Sequence, residues 1–292
     1  MSKTSTMIRE MFGKGDKERD AGLSTPEDIV RFDSIPYGED PVWQLLDVYR
    51  PKGKEGKLPV IISVHGGGWV YGDKDVYQFY CMSLAQHGFA VVNFSYRLAP
   101  EHKFPASLED FNSVCGFVMD NAETYGFDTD NLFAVGDSAG AHNLSLYAAI
   151  LTNPEYAENY SFRTPKGFAL KAIALNCGAF LIDVSKQDLT TQLMADFLPE
   201  GGSEKEIRMI SSCYHITEKY PPVYLMTSND DFLKEQVNVI IPIFLKKEIP
   251  FNFHFYGTKE NRLGHVFHCN IRLADAKICN DEECAFFREF IR

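Results

Sequence analysis

Short runs of apolar residues recur along this chain, separated by longer stretches in which apolar and polar positions alternate with helical spacing. The runs Val60–Val64, Ala90–Phe94, Leu132–Val135, Ala172–Asn176, Val223–Thr227 and Phe251–Phe255 predict six strands. Several are continuously apolar, as strands covered on both faces must be. Two earlier strands are predicted at Val30–Ile35 and Leu45–Tyr49, joined by a turn containing Gly38 and Pro41. Helical spacing predicts helices over Val76–His87, Ser107–Tyr125, Ala139–Leu151 and Leu233–Lys247, with a final helix over Glu282–Ile291. Pro242 is expected to kink or divide the fourth of these. Strands alternating with helices predict an α/β fold: a central, mostly parallel eight-stranded sheet flanked by helices. A chain of 292 residues can build that as one domain. Residues 1–30 and 181–220 stand outside the alternation. A structureless excursion of such length in a compact domain usually serves function, so both segments are read as a small cap.

Composition narrows the possible partners. Acidic residues number 40 against 29 basic ones, a net charge of −11. That field disfavours nucleic acid and anionic membrane surfaces, both of which require clustered Lys and Arg. Seven cysteines without CxxC spacing read as reduced thiols. The first twenty residues are polar and charged, unlike a secretory signal, so a cytoplasmic location is expected.

The chemistry begins at Gly136-Asp137-Ser138-Ala139-Gly140, a G-x-S-x-G pattern. It directly follows the strand Leu132–Val135 and opens the helix Ala139–Leu151, the setting a nucleophile elbow requires. A turn that sharp puts Ser138 in a strained backbone conformation and needs small residues two positions away, where Gly136 and Gly140 stand. Upstream, His65-Gly66-Gly67-Gly68-Trp69 leaves the strand Val60–Val64. Its glycines let backbone amides approach a developing oxyanion. A phosphate loop would carry Lys-Ser/Thr after the glycines, and Trp69-Val70 does not fit that role.

These motifs resemble the hormone-sensitive-lipase-like branch of the α/β-hydrolases. The resemblance extends over roughly Leu45 to His265 and includes the string from Tyr96 to Ala106 followed by Glu109-Asp110. It implies the α/β-hydrolase fold, with oxyanion donors at the amides of Gly67, Gly68 and Ala139. It also implies an acid in Asn229-Asp230-Asp231-Phe232-Leu233, where Phe232 stands in place of the family's usual proline. Alignment on Leu233 selects Asp231; Asp230 is its neighbour and rival, with a helix cap as its other reading. The base lies last, in Gly264-His265-Val266-Phe267, and His265 is the candidate with His268 close by. Arg97, Glu101 and His102 read as structural.

The implied activity is that of a serine carboxylesterase acting on short-chain, acetyl-like esters through an acyl-enzyme, without cofactor or metal. Phe180, Phe197 and Trp69 are candidate liners of a confined acyl pocket. An amidase, formamidase or lactonase would share every catalytic part. A ligand-binding protein on a dead scaffold would typically have lost a triad member. The strand Phe251–Phe255 should end the sheet, and such an edge invites a homodimer.

Overall fold

The computed structural model describes residues 2–186 and 188–292; Met1 and Gln187, which belong to the two expected cap segments, lie outside the described residues. Eight strands form one sheet: β1 (Ile29–Pro36), β2 (Leu45–Pro51), β3 (Leu58–Val64), β4 (Ala90–Phe94), β5 (Phe127–Asp137), β6 (Leu170–Asn176), β7 (Val223–Ser228) and β8 (Phe251–Tyr256). Their order is β1-β2-β4-β3-β5-β6-β7-β8. The β1–β2 and β2–β4 pairs are antiparallel and the remaining five are parallel. Every predicted strand is present, and β8 ends the sheet.

The helices are α1 (Lys3–Asp20), α2 (Lys74–Gln86), α3 (Ala106–Asp120), α4 (Ala122–Tyr125), α5 (Ala139–Thr152), α6 (Pro154–Ala157), α7 (Leu189–Phe197), α8 (Glu204–Ile210), α9 (Val237–Lys246) and α10 (Ala274–Arg288). Alternate strand residues face two apolar layers, as the twofold strand period requires. Val60, Ile62, Leu132 and Ala134 join α3, α5 and α9 on one side. Ile61, Phe133, Val135 and Ala174 join α2 and α10 on the other.

Three predicted helices differ in their bounds. The stretch Ser107–Tyr125 is two helices, because the Asn121 amide donates to the Phe117 carbonyl and competes with the backbone there. Pro242 lies inside α9 without dividing it; the break comes earlier, in a 3₁₀ turn over Lys234–Gln236. The last helix begins at Ala274, well before Glu282. Its buried face includes Asn280 and Glu283, which interrupt the apolar stripe in the sequence.

The two segments outside the alternation meet in space. Hydroxyls of Ser2 and Ser5 on the N-terminal side reach the Asp196 carboxylate of α7, and Thr4 donates to Gln192 at 2.6 Å. Arg9 of α1 donates to the carbonyls of Val70 (2.7 Å) and Ala99 (3.0 Å) and pairs with Glu101 (2.7 Å). Helix α1 is thereby tied to the chain just beyond the Gly66–Gly68 loop.

Candidate active site

All the sequence-selected residues emerge at the C-terminal ends of strands: the glycine loop after β3, Ser138 after β5, Asp231 after β7 and His265 after β8. Parallel strands open their crevice at that edge.

Ser138 sits at the junction of β5 and α5 with φ 52° and ψ −119°, a conformation a non-glycine residue adopts only when its surroundings impose it. They do so by contact. A Cβ on Gly140 would come within 2.0 Å of the Val64 carbonyl oxygen, and one on Gly136 within 2.6 Å of the Gly140 carbonyl oxygen. The Ser138 amide donates to the Asn176 carbonyl of β6 at 2.9 Å, pinning the turn to the sheet.

His265 Nε2 lies 2.9 Å from Ser138 Oγ, and its Nδ1 lies 2.6 Å from Asp231 Oδ1. A carboxylate can only accept, so Nδ1 carries the proton and Nε2 is free to accept from the serine. Asp231 is buried and takes two further hydrogen bonds, from the Thr227 hydroxyl (2.6 Å) and the Leu233 amide (2.9 Å). Burial alone would raise its pKa. The hydrogen bond and charge of His265, with those two donors, hold it below the ordinary carboxylate value instead.

The rivals are placed elsewhere. Asp230 neither caps a helix nor faces the imidazole: its carboxylate pairs with Arg262 at the surface. His268 is fully buried, with its Nε2 3.6 Å from Cys269 Sγ and its ring edge-on to Tyr80. Burial pushes its pKa down to about 3. Cys177, which no sequence pattern singled out, follows β6 in a left-handed conformation (φ 49°). Its sulfur lies within 4.8 Å of a carboxylate oxygen of Asp231 and a ring nitrogen of His265. Its position depends on the pairing of β6 with β7, which a linear motif does not encode. Asp137, His268 and Cys269 form a second, fully buried group with ligand-type atoms at the same spacing.

The glycine loop is held as firmly as the elbow. His65 stacks on Tyr96 (4.0 Å between ring centroids), and its Nδ1 donates to the Gly66 carbonyl at 2.8 Å. Burial lowers its pKa to about 4, so the ring is neutral. The Gly66 amide donates to the Tyr77 hydroxyl (2.9 Å), which donates to Asp137 Oδ2 (2.7 Å), linking loop and elbow. Gly67 has φ +118°, and a Cβ there would meet the Tyr71 carbonyl oxygen at 2.0 Å. A Cβ on Gly68 would touch Leu193 of α7 at 3.5 Å, so the 181–220 segment lies over this loop. Trp69 stacks on Phe197 of α7, and its Nε1 donates to His142 Nδ1 at 3.1 Å. His142 Nε2 donates in turn to the Ile210 carbonyl at 2.7 Å. Trp69, Phe180 and Phe197 are all buried in the apolar core. Ala139 is the first residue of α5, so its amide has no partner within the helix.

Behind the elbow lies a buried carboxyl that the sequence did not flag. Glu283 of α10 accepts from Asn176 Nδ2 (2.6 Å) and the Tyr80 hydroxyl (3.0 Å). Burial, opposed by those two hydrogen bonds, pushes its pKa up to about 7; burial likewise pushes Asp137 to about 6. A folded-state pKa above the unfolded value means that the folded protein holds the proton more tightly. The stabilisation is therefore fully present below about pH 4.5 and is lost as pH rises through 7. For Glu283 the span from 4.5 to about 7 corresponds to roughly 3 kcal/mol. Glu283→Gln should consequently melt several degrees higher than the wild type at pH 8 and differ little at pH 5. Melting curves that stay parallel across that range would contradict the assignment.

An eight-stranded, mostly parallel sheet in this order, carrying a serine, a histidine and a carboxylate in line at its C-terminal edge, defines an α/β-hydrolase. The chain belongs to the BD-FAE family, whose model matches residues 46–239, about two thirds of its length. It is similar to the versiconal hemiacetal acetate esterase of Dothistroma septosporum, 40% identical over 94 residues, which are 32% of this chain and 29% of that protein. It is also similar to the carboxylesterase NlhH of Mycobacterium tuberculosis, 35% identical over 134 residues, 44% of this chain and 42% of that one. The chain spans less than two thirds of the length of the curated relatives it matches, from 29% to 56% for the first three. Among solved structures, esterase B from Lactobacillus rhamnosis superposes with a TM-score of 0.88 at 24% identity, over 98% of this chain and 95% of that one. These findings agree with the hormone-sensitive-lipase-like resemblance of the motifs.

Proposed function

We propose that this protein is a serine carboxylesterase that cleaves short-chain, acetyl-like esters through an acyl-enzyme. The observation that carries this reading is the line Ser138 Oγ–His265 Nε2 and His265 Nδ1–Asp231, at 2.9 and 2.6 Å. As Ser138 Oγ attacks the ester carbonyl carbon, its proton passes to His265 Nε2, and Asp231 stabilises the imidazolium. The amides of Gly67, Gly68 and Ala139 take the oxyanion. Its collapse breaks the ester C–O bond, and the imidazolium returns the proton to the leaving alcohol. Water, activated by the same imidazole, then attacks the acyl-serine and releases the acid. Helix α1 and the 181–220 segment act as the cap, and the tie from Arg9 to Glu101 and from Leu193 to Gly68 supports that role. The printed names of the relatives, one an acetate esterase, favour a small acyl group. The p-nitrophenyl esters of increasing chain length test this: kcat/KM should be greatest for the shortest acyl groups. Faster turnover of matched amides would favour the amidase reading.

We also propose a homodimer through β8. Helix α10 covers one face of this strand, where Glu282 meets His254 at 3.2 Å and Tyr256. The phenylalanines on the opposite face are left outward, Phe253 39% and Phe255 55% exposed. An apolar face beside an unpaired strand edge favours a second copy. Light scattering during size exclusion should give twice the chain mass, and Phe253→Lys combined with Phe255→Lys should give the monomer. A double variant that remains dimeric would move the interface elsewhere.

All seven cysteines are free thiols, six of them buried, which supports a reducing compartment, and we assign the protein to the cytoplasm. No helix among the described residues is long and apolar enough to cross a membrane.

A further inference from the structure

Phe232 is the residue at which the acid motif departs from its family pattern, and it is 73% exposed. A single exposed apolar side chain needs no explanation by itself. This one, however, lies against the imidazole of His265, with 4.2 Å between ring centroids and 42° between planes. Its place is fixed from below. Asp231 is buried beneath it, the Asp231 amide donates to the Ser228 carbonyl (3.2 Å), and Asp231 Oδ1 accepts from the Leu233 amide (2.9 Å). With both neighbours held by that turn, the ring is kept against the base while most of its surface stays open to solvent.

The chemistry of the base decides which half of a substrate meets that ring. His265 Nε2 must come within hydrogen-bond reach of the alcohol oxygen to protonate it. The acyl half lies instead toward the amides that take the oxyanion, at Gly67, Gly68 and Ala139. A group resting on the imidazole is therefore beside the alcohol half. A proline at this position would offer no aromatic face.

We propose that Phe232 is the platform of the alcohol subsite, and that the substrates are esters whose leaving alcohol is aromatic or bulky and apolar. This rests on the carboxylesterase reading above. An aromatic pair contributes on the order of 1 kcal/mol beyond its buried area, which corresponds to a rate ratio of about five- to tenfold.

The test compares 2-naphthyl acetate with ethyl acetate, which share an acyl group, and 2-naphthyl acetate with 2-naphthyl butyrate, which share an alcohol. In Phe232→Ala the naphthyl-to-ethyl ratio of kcat/KM should fall about five- to tenfold, while the acetate-to-butyrate ratio holds. Phe232→Leu should fall less and Phe232→Trp should restore the ratio. Equal losses on naphthyl and ethyl acetate would make Phe232 a support of His265 and overturn the proposal, and so would an unchanged naphthyl-to-ethyl ratio. A shift in the acetate-to-butyrate ratio would place the ring on the acyl side and overturn it too. A wild-type protein that cleaves none of these esters would instead overturn the hydrolase reading itself.

Discussion

Replacing Ser138 with alanine should lower kcat for short-chain esters by on the order of 10⁴-fold or more while the protein stays folded. The lost atom is Oγ, the group 2.9 Å from His265 Nε2 and the one whose proton that nitrogen is placed to take. The fold should survive because the strain at this position resides in the backbone. The φ of 52° is imposed by the approach of Gly140 to the Val64 carbonyl and by the amide bond to Asn176, and alanine leaves both in place. Alanine is no worse suited than serine to that conformation. An active-site titration and a melting curve on the same preparation check the two halves together. Substantial turnover by pure, folded mutant protein would remove Ser138 from the mechanism.

The second large effect separates two adjacent carboxylates. Asp231→Asn should reduce kcat by on the order of 10⁴-fold, because the amide carries no charge to oppose the imidazolium and can hold the wrong tautomer. Asp230→Asn should stay within about twofold of wild type, since it breaks only an exposed pair with Arg262. Asp231 is matched to its task from three sides: Thr227 from within β7, Leu233 from the following turn, and His265 across from the loop after β8. Asp230 has none of these. If the Asp230 variant proves the more damaged, the alignment of the acid motif is wrong by one residue.

The strands, their parallel majority and the elbow were legible in the linear chain. Continuous apolar runs such as Val60–Ile62 have no other stable home than a sheet covered on both faces. A glycine two residues on either side of Ser138 marks a turn too tight for a side chain. These are local constraints, written within a few neighbouring residues. Helix α10 was legible only in part, because its buried face includes Asn280 and Glu283, whose partners Tyr80, Asn176 and the His268 carbonyl come from distant segments. A polar residue inside a core reads as surface until its partner is known.

What tertiary structure alone decided has the same cause. Asp230 and Asp231 are chemically identical in the sequence, and the pairing of β7 with β8 and its adjoining loops turns one inward and the other to Arg262. His65 and His142 are both histidines near the glycine loop and the elbow, yet stacking on Tyr96 and the bridge from Trp69 to Ile210 make them supports. The joining of α1 with α7, the sulfur of Cys177 behind the acid, and the ring of Phe232 over the base follow from contacts between segments far apart in the chain. The sequence by itself determined which residues are the candidates for nucleophile, acid and base and at which strand ends they stand. Folding decided which of several like residues stand within 3 Å of one another, because that depends on strand order and register.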